Sequence, residues 1–266
     1  MSAFVHHLAY DFRTGIRDRS KLLMFYLFPF VFFFVVGAFM VQINPGFRAV
    51  MIPGMVLFAH MSSVLLSLPS ALVQAREAGV FRSYRINGVP SGSIMAIPVI
   101  GALVHMAIVT VVIAVAGARL YGGAAPASIP GFAAAAFLSF LAYAGFGVLI
   151  GVAAGNVNAS ILVSQLLYIP SILLGGIMVP ADMMPGAFGR IGLLLPASHA
   201  MRLFAGLAYG GAAPWLSLGV LGASIVLSFL LAALVFEWDS RAAQPCRRAY
   251  LALLVVVPYV AAAIAG

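Results

Sequence analysis

Few residues in this 266-residue chain can do chemistry, and their positions narrow what that chemistry can be. A phosphate-binding loop of the form GxxxxGK(S/T) needs a lysine, and the only one is Lys21, preceded by Ser20. The chain is therefore not expected to hydrolyse ATP in the usual way by itself. The acidic residues Asp11, Asp18, Glu77, Asp182, Glu237 and Asp239 all lie at or beyond the ends of apolar runs. Ion-coupled transporters often place such a group at the membrane midplane. Two histidines, His60 and His105, do fall near the middle of apolar runs. An ion at that depth costs about 2.5–3.5 kcal/mol or more. A neutral imidazole bonded to a neighbouring helix is the cheaper state, with a proton relay as the alternative. His6, His7 and His199 are remote from them, and no carboxylate or thiol lies nearby, so no metal site is expected. The methionines read as apolar packing rather than copper ligands. The single Cys246 excludes an internal disulfide framework.

The elements that must position these residues are membrane helices. The composition is 64% hydrophobic and 8% charged, against about 25% charged for a soluble domain, too little polar side chain to cover a water-facing surface. Apolar runs lie near residues 22–42, 51–73, 94–117, 131–154, 159–179 and 214–236, with a shorter one at 249–265. A spanning helix needs about 20 apolar residues. A membrane barrel would instead show alternating segments of about 10 residues. The net charge of +8 does not indicate nucleic acid, because the basic residues sit in short loops. With the N-terminus inside, the cytoplasmic segments hold ten of them: Arg13, Arg17, Arg19, Lys21, Arg76, Arg82, Arg85, Arg241, Arg247 and Arg248. The outside then holds four, Arg48, Arg119, Arg190 and Arg202, which favours this orientation.

Local patterns refine the outline. Phe4, Leu8, Phe12 and Ile16 recur every fourth position, which predicts an interfacial helix over residues 1–21. Residues 180–213 are apolar but broken by Pro and Gly, which predicts an external re-entrant hairpin, with Met183, Met184 and Pro185 as a candidate outer gate. Gly147, Gly151 and Gly155 form a tandem GxxxG, expected to let a neighbouring helix approach closely. In the loop after the second run, Phe81 and Tyr84 share a helical face, Arg82 and Arg85 flank it, and Gly88 and Pro90 stop the helix.

That loop, through Arg76, Glu77, Gly79, Phe81, Arg85 and Pro90, resembles the first cytoplasmic loop of ABC-2-type exporter permeases. The segment from Gly175 through Pro180 and Met184-Pro185 to Pro196 and His199 is similar to the same family, as is Pro29 in the first span. The resemblance covers residues 1 to about 240. It implies an all-α, six-helix ABC-2-type transmembrane bundle over residues 22–240; beyond it, the apolar run at 249–265 predicts an extra basic loop and C-terminal helix at 241–266. It implies a second permease copy, or a homologous permease, in a dimer. It also implies a cytoplasmic ABC ATPase subunit, which would carry ATP and Mg; this chain would hold no cofactor. The ATPase-coupling residues would lie in the loop 74–92: Arg76, Glu77, Gly79, Phe81, Arg82, Tyr84 and Arg85. The extra helix, and His199 where Tyr is frequent, depart from the family pattern. Phe58, His60, His105 and His199 are pathway or gate candidates. The expected function is export of an amphiphilic drug, lipid or lipid-linked molecule across a prokaryotic plasma membrane. The alternative is a stand-alone secondary transporter or channel using His60 and His105. An intramembrane enzyme lacks a nucleophile–base pair.

Overall fold

A computed structural model describes residues 8–9, 12–13, 15, 17–179, 186–239 and 249–265. Six helices are long and apolar enough to cross a membrane: α1 (Arg19–Ile43), α2 (Phe47–Glu77), α4 (Ser91–Tyr121), α5 (Ile129–Ala153), α6 (Val157–Leu174) and α9 (Trp215–Val235). Between them stand the short helices α3 (Val80–Ile86), α7 (Gly186–Gly192) and α8 (Pro196–Ala208). A 3₁₀ segment, Ala249–Val256, runs into α10 (Val257–Ala265) and packs along α9. No strand occurs among the described residues. The described residues before α1 are helical up to Arg17.

Each helix begins and bends where its sequence requires. Asp18 caps α1, its Oδ1 accepting from the amides of Ser20 (2.9 Å) and Lys21 (3.2 Å). The turn Leu23–Leu27 is a π-helix. Pro29 follows at once; it has no amide to donate and its ring crowds the carbonyl four residues back, which the widened turn relieves. Ser128 caps α5 through the Gly131 amide, and Asn156 caps α6 through the Ala159 amide.

The centre of the bundle is the pair α2 and α5, with 83% of each span's apolar window buried, against 22% for α1 and for α6. Glycine sets that contact. A Cβ at Gly147 would lie 3.0 Å from the Val64 carbonyl oxygen, and one at Gly151 would lie 2.8 Å from Leu72 Cδ1. On its other side α5 meets α9, where a Cβ at Gly145 would lie 2.0 Å from Ser228 Oγ. Gly155 departs from the expected row. It lies beyond the end of α5, and a Cβ there would meet nothing within 4 Å. The GxxxG spacing presumes a continuing helix, but Ala154 turns extended at ψ 136°.

At the opposite end of α5, α8 folds back onto the bundle. At about 1.5 Å per residue its 13 residues reach about 20 Å, too short to cross a core of about 30 Å. Pro196, His199, Ala200, Leu203 and Phe204 are buried, mainly against α5 and α9. The amides of Ala127 and Ser128 donate to the Ala208 carbonyl, at 2.8 and 3.1 Å. The non-helical Gly175–Val179 stretch is covered by α2, since Ile177 is fully buried and its carbonyl faces Gly54. Irregular backbone at membrane depth needs such cover. Met183, Met184 and Pro185 lie outside the described residues.

Candidate functional site

The short helix α3 joins α2 to α4, each 31 residues long. At about 1.5 Å per residue, each extends about 46 Å, more than the hydrocarbon core requires. The turns around α3 depend on glycine: Gly79 and Gly88 have φ of 74° and 71°, where side chains with a Cβ are strained. Between them α3 has two distinct faces. Its outer face carries Arg82, Ser83, Arg85 and Ile86, all exposed, and Ile86 is 80% exposed despite being apolar. Its inner face carries Phe81, buried, and Tyr84, half-buried against the core.

This arrangement corrects the expected coupling set at three residues. Phe81 does not face outward: it is 3% exposed and stacks on Phe236, with ring centroids 5.6 Å apart. Tyr84 shares its inward side. Arg76 is also buried, with Nη1 donating to the Val152 carbonyl at 2.9 Å and Nη2 to the Ala154 carbonyl. It closes the C-terminus of α5, where carbonyls lack helical partners and a cation is favoured. Glu77 remains exposed at the end of α2. The physical reason is common to Phe81 and Tyr84. At the membrane edge the aromatic side of a short helix gains more from burial than from water, so the charged side faces out.

Two features of this end escaped the sequence reading. Arg82 Nε pairs with Asp239 Oδ1 at 2.8 Å, tying α3 to the chain just past α9. Ile86 is the apolar group that protrudes. The Phe236-Glu237-Trp238-Asp239 cluster after α9 was a usable signal, because its aromatic and acidic groups complement Phe81 and Arg82.

The pathway candidates do not converge. Phe58 is buried and stacks on Phe32, centroids 3.6 Å apart, with Tyr168 of α6 at 6.1 Å. His60 Nε2 bonds Thr110 Oγ1 of α4 at 2.9 Å. His105 Nδ1 bonds the Tyr26 hydroxyl of α1 at 2.7 Å, and Phe12 stacks on its ring. The two histidines thus link α4 to α2 and to α1 separately, each through a hydroxyl. His199 is fully buried between the Leu193 carbonyl (2.9 Å from Nε2) and Ser217 Oγ (3.2 Å from Nδ1). A carbonyl can only accept, so Nε2 carries the proton and Nδ1 accepts from the Ser217 hydroxyl. Among the described residues no group of His, Cys, Asp and Glu could hold a metal ion.

Two cavities adjoin α2. One of about 450 Å³ lies among the start of α1, α2, α3 and α4. One of about 250 Å³ lies among α1, α2 and α6, with Ser70, Ser160, Ser164 and Gln165 in its lining.

A polytopic helical bundle that presents a short, glycine-bracketed basic helix at one end and folds a short, non-spanning helix onto the other has the form of a transporter's membrane component. The family model described as ABC-2 type transporter matches residues 3–209. The chain therefore belongs to the ABC-2 type transporter family: it is a multi-pass membrane protein and an ABC transporter permease. Permeases of this family normally pair with an ABC ATPase subunit. No curated protein and no solved structure matches the chain.

Proposed function

We propose that this permease is the membrane half of an ATP-driven exporter, docked through the outer face of α3 onto a cytoplasmic ATPase that binds ATP and Mg. One observation carries the reading: α3 is anchored on its inner side by Phe81 and Tyr84 while Arg82, Arg85 and Ile86 are left exposed. A seven-residue helix is too short to be stable alone, so its exposed face is held in place by that anchor. ATP binding would move the ATPase pair, and α3 would pass that motion to α2 and α4. For this to drive transport, α3 must make different contacts in two states.

The same structure and sequence support the finer points of the reading. The weak burial of α1 and α6 within one chain supports a second permease copy along that edge, in a homodimer. The smaller, serine-lined cavity between those helices is the favoured start of the pathway. Its hydroxyls, with no carboxylate in the middle of any span, favour an amphiphilic drug, lipid or lipid-linked substrate over a polyanion. The basic bias supports an N-terminus on the inner side, and the reading takes the membrane to be a prokaryotic plasma membrane with residues 1–21 along its inner surface. The separate partners of His60 and His105 give no shared relay site, which leaves the secondary-transporter reading without a structural anchor.

The test is co-purification of the full-length permease with a candidate ABC ATPase subunit, followed by ATPase assays in liposomes. Arg85→Glu and Ile86→Asp should abolish permease-dependent stimulation while leaving the permease folded. Substrate movement that follows a proton gradient in the absence of any ATPase would sink the proposal.

A further inference from the structure

The larger cavity is a slot between α2 and α4, closed at one end by Val80, Phe81 and Tyr84 of α3. From Gln74 to Ser63 along α2 it runs about 16 Å at the α-helical rise. Its volume of about 450 Å³ suits a drug-sized molecule. Its two long edges differ in chemistry. Ser63, Ser67, Ser70 and Gln74 recur at helical spacing along α2, whereas Ile94, Ile97, Pro98 and Ala102 of α4 make a largely apolar wall between Ser93 and His105, with Asp18, Ser20 and Lys21 where α1 begins.

The hydroxyls on the α2 edge are not equivalent. Ser67 Oγ donates to the Ser63 carbonyl, and Ser70 Oγ donates to the Ser67 carbonyl at 3.0 Å. Each has spent its proton on the helix and offers only lone pairs to the slot. Ser63 is fully buried, and its Oγ has no hydrogen-bond partner. Buried hydroxyls are normally paired, so this one marks an unmet requirement. Water could satisfy the hydroxyls but would leave the isoleucine wall wetted. A molecule with hydroxyl donors along one edge and apolar surface along the other satisfies both.

We propose that this slot binds an elongated, facially amphipathic ligand with several hydroxyl groups on one face, and that occupancy acts on α3. The second half rests on the docking reading above, because the ligand would lie against Phe81 and Tyr84, the anchor of the docking helix.

Two steroid acids probe the first half: cholate, whose hydroxyls share one face, and cholanate, the same acid without them. Radiolabelled forms are titrated, below micellar concentration, onto the full-length chain in nanodiscs with empty discs as blank. Saturable cholate binding is expected, weakened about fivefold by Ser63→Ala for the loss of one hydrogen bond. Cholanate binding should be unmoved by that change. Ala71→Trp, at an exposed position lining the slot, should abolish saturable binding of both. Absence of saturable binding, equal cholate binding by Ser63→Ala, or normal binding by Ala71→Trp overturns the site. In the assembled complex, cholate should change the ATPase rate with wild-type permease and not with Ala71→Trp. An unchanged rate with binding intact overturns the regulatory half, whereas failure of the complex to assemble counts against the docking reading instead.

Discussion

Phe81→Ala separates the anchoring of α3 from its outward contacts. Phe81 is 3% exposed and stacked on Phe236, so truncation removes a buried ring from the inner face of a seven-residue helix. Truncating a core Phe to Ala costs about 3–5 kcal/mol. Phe81 packs at the rim of the bundle, which places it near the lower end. At 1.4 kcal/mol per decade, about 3 kcal/mol reduces the docked population of α3 about a hundredfold relative to the undocked one. Amide hydrogen exchange of the nanodisc-embedded permease measures this directly. The amides of residues 83–86 should exchange up to a hundredfold faster, while those of α2 and α5 hold their protection. Phe81→Leu keeps much of the volume, costs less than about 1.5 kcal/mol, and should raise exchange by no more than about tenfold. Ile86→Ser removes an exposed group and should leave exchange unchanged while reducing ATPase stimulation. Equal exchange in Phe81→Ala and wild type would refute the inward anchor. Accelerated exchange in Ile86→Ser would refute the assignment of faces.

Other substitutions test other contacts. Arg76→Ala strips the partners from two carbonyls at the end of α5 and should destabilise the protein by about 1–3 kcal/mol, read as a lowered melting temperature in detergent. Arg82→Ala breaks an ion pair whose side chains are 69% and 45% exposed, and should leave that temperature unmoved. Gly151→Leu should disrupt the α2–α5 contact and reduce folded yield on size exclusion, whereas Gly155→Leu should express normally. A reporter fused after residue 266 should lie on the face of the membrane opposite α3. Eight 3₁₀ residues at about 2.0 Å each, followed by nine α-helical residues at about 1.5 Å, extend about 30 Å, a full crossing.

The spans were legible because the bilayer permits little else: an uninterrupted apolar run must satisfy its own backbone, and the six helices overlie the six runs to within a few residues. The orientation of α3 was not legible. Periodicity places Phe81 and Tyr84 on one face but does not say what that face meets. Phe236 supplies the answer from about 150 residues away in sequence, and Asp239 pairs with Arg82 on the opposite face. His60 and His105 stood in the sequence as a polar contact or a relay, and only the packing reveals Thr110 and Tyr26 as partners. The third glycine of the GxxxG row misled because the pattern ignores helix ends. Asn156, which caps α6 through the Ala159 amide, already signalled that a new helix starts there.

These contacts define what a displacement of α3 would move. At its N-terminal side Gly79 joins α3 to α2, and Arg76, one turn earlier, grips the last carbonyls of α5. Through Phe236 and Asp239, α3 also holds the end of α9. Both α2 and α9 press on α5 where it has no side chain to yield, at Gly147 and Gly151 on one side and Gly145 on the other. At the far end of α5, a Cβ on Gly131 would lie 1.9 Å from the Leu207 carbonyl oxygen, so α5 and α8 cannot slide apart without losing that fit. Close-packed contacts therefore run unbroken from α3 to α8 at the other end. Packed interiors transmit strain because they compress little. Contiguity alone does not make a switch, which needs an element with two stable arrangements. The π-turn of α1 at Leu23–Leu27 lies beside the slot through Met24 and Phe25, and Pro29, which needs the widened turn, holds it in that register.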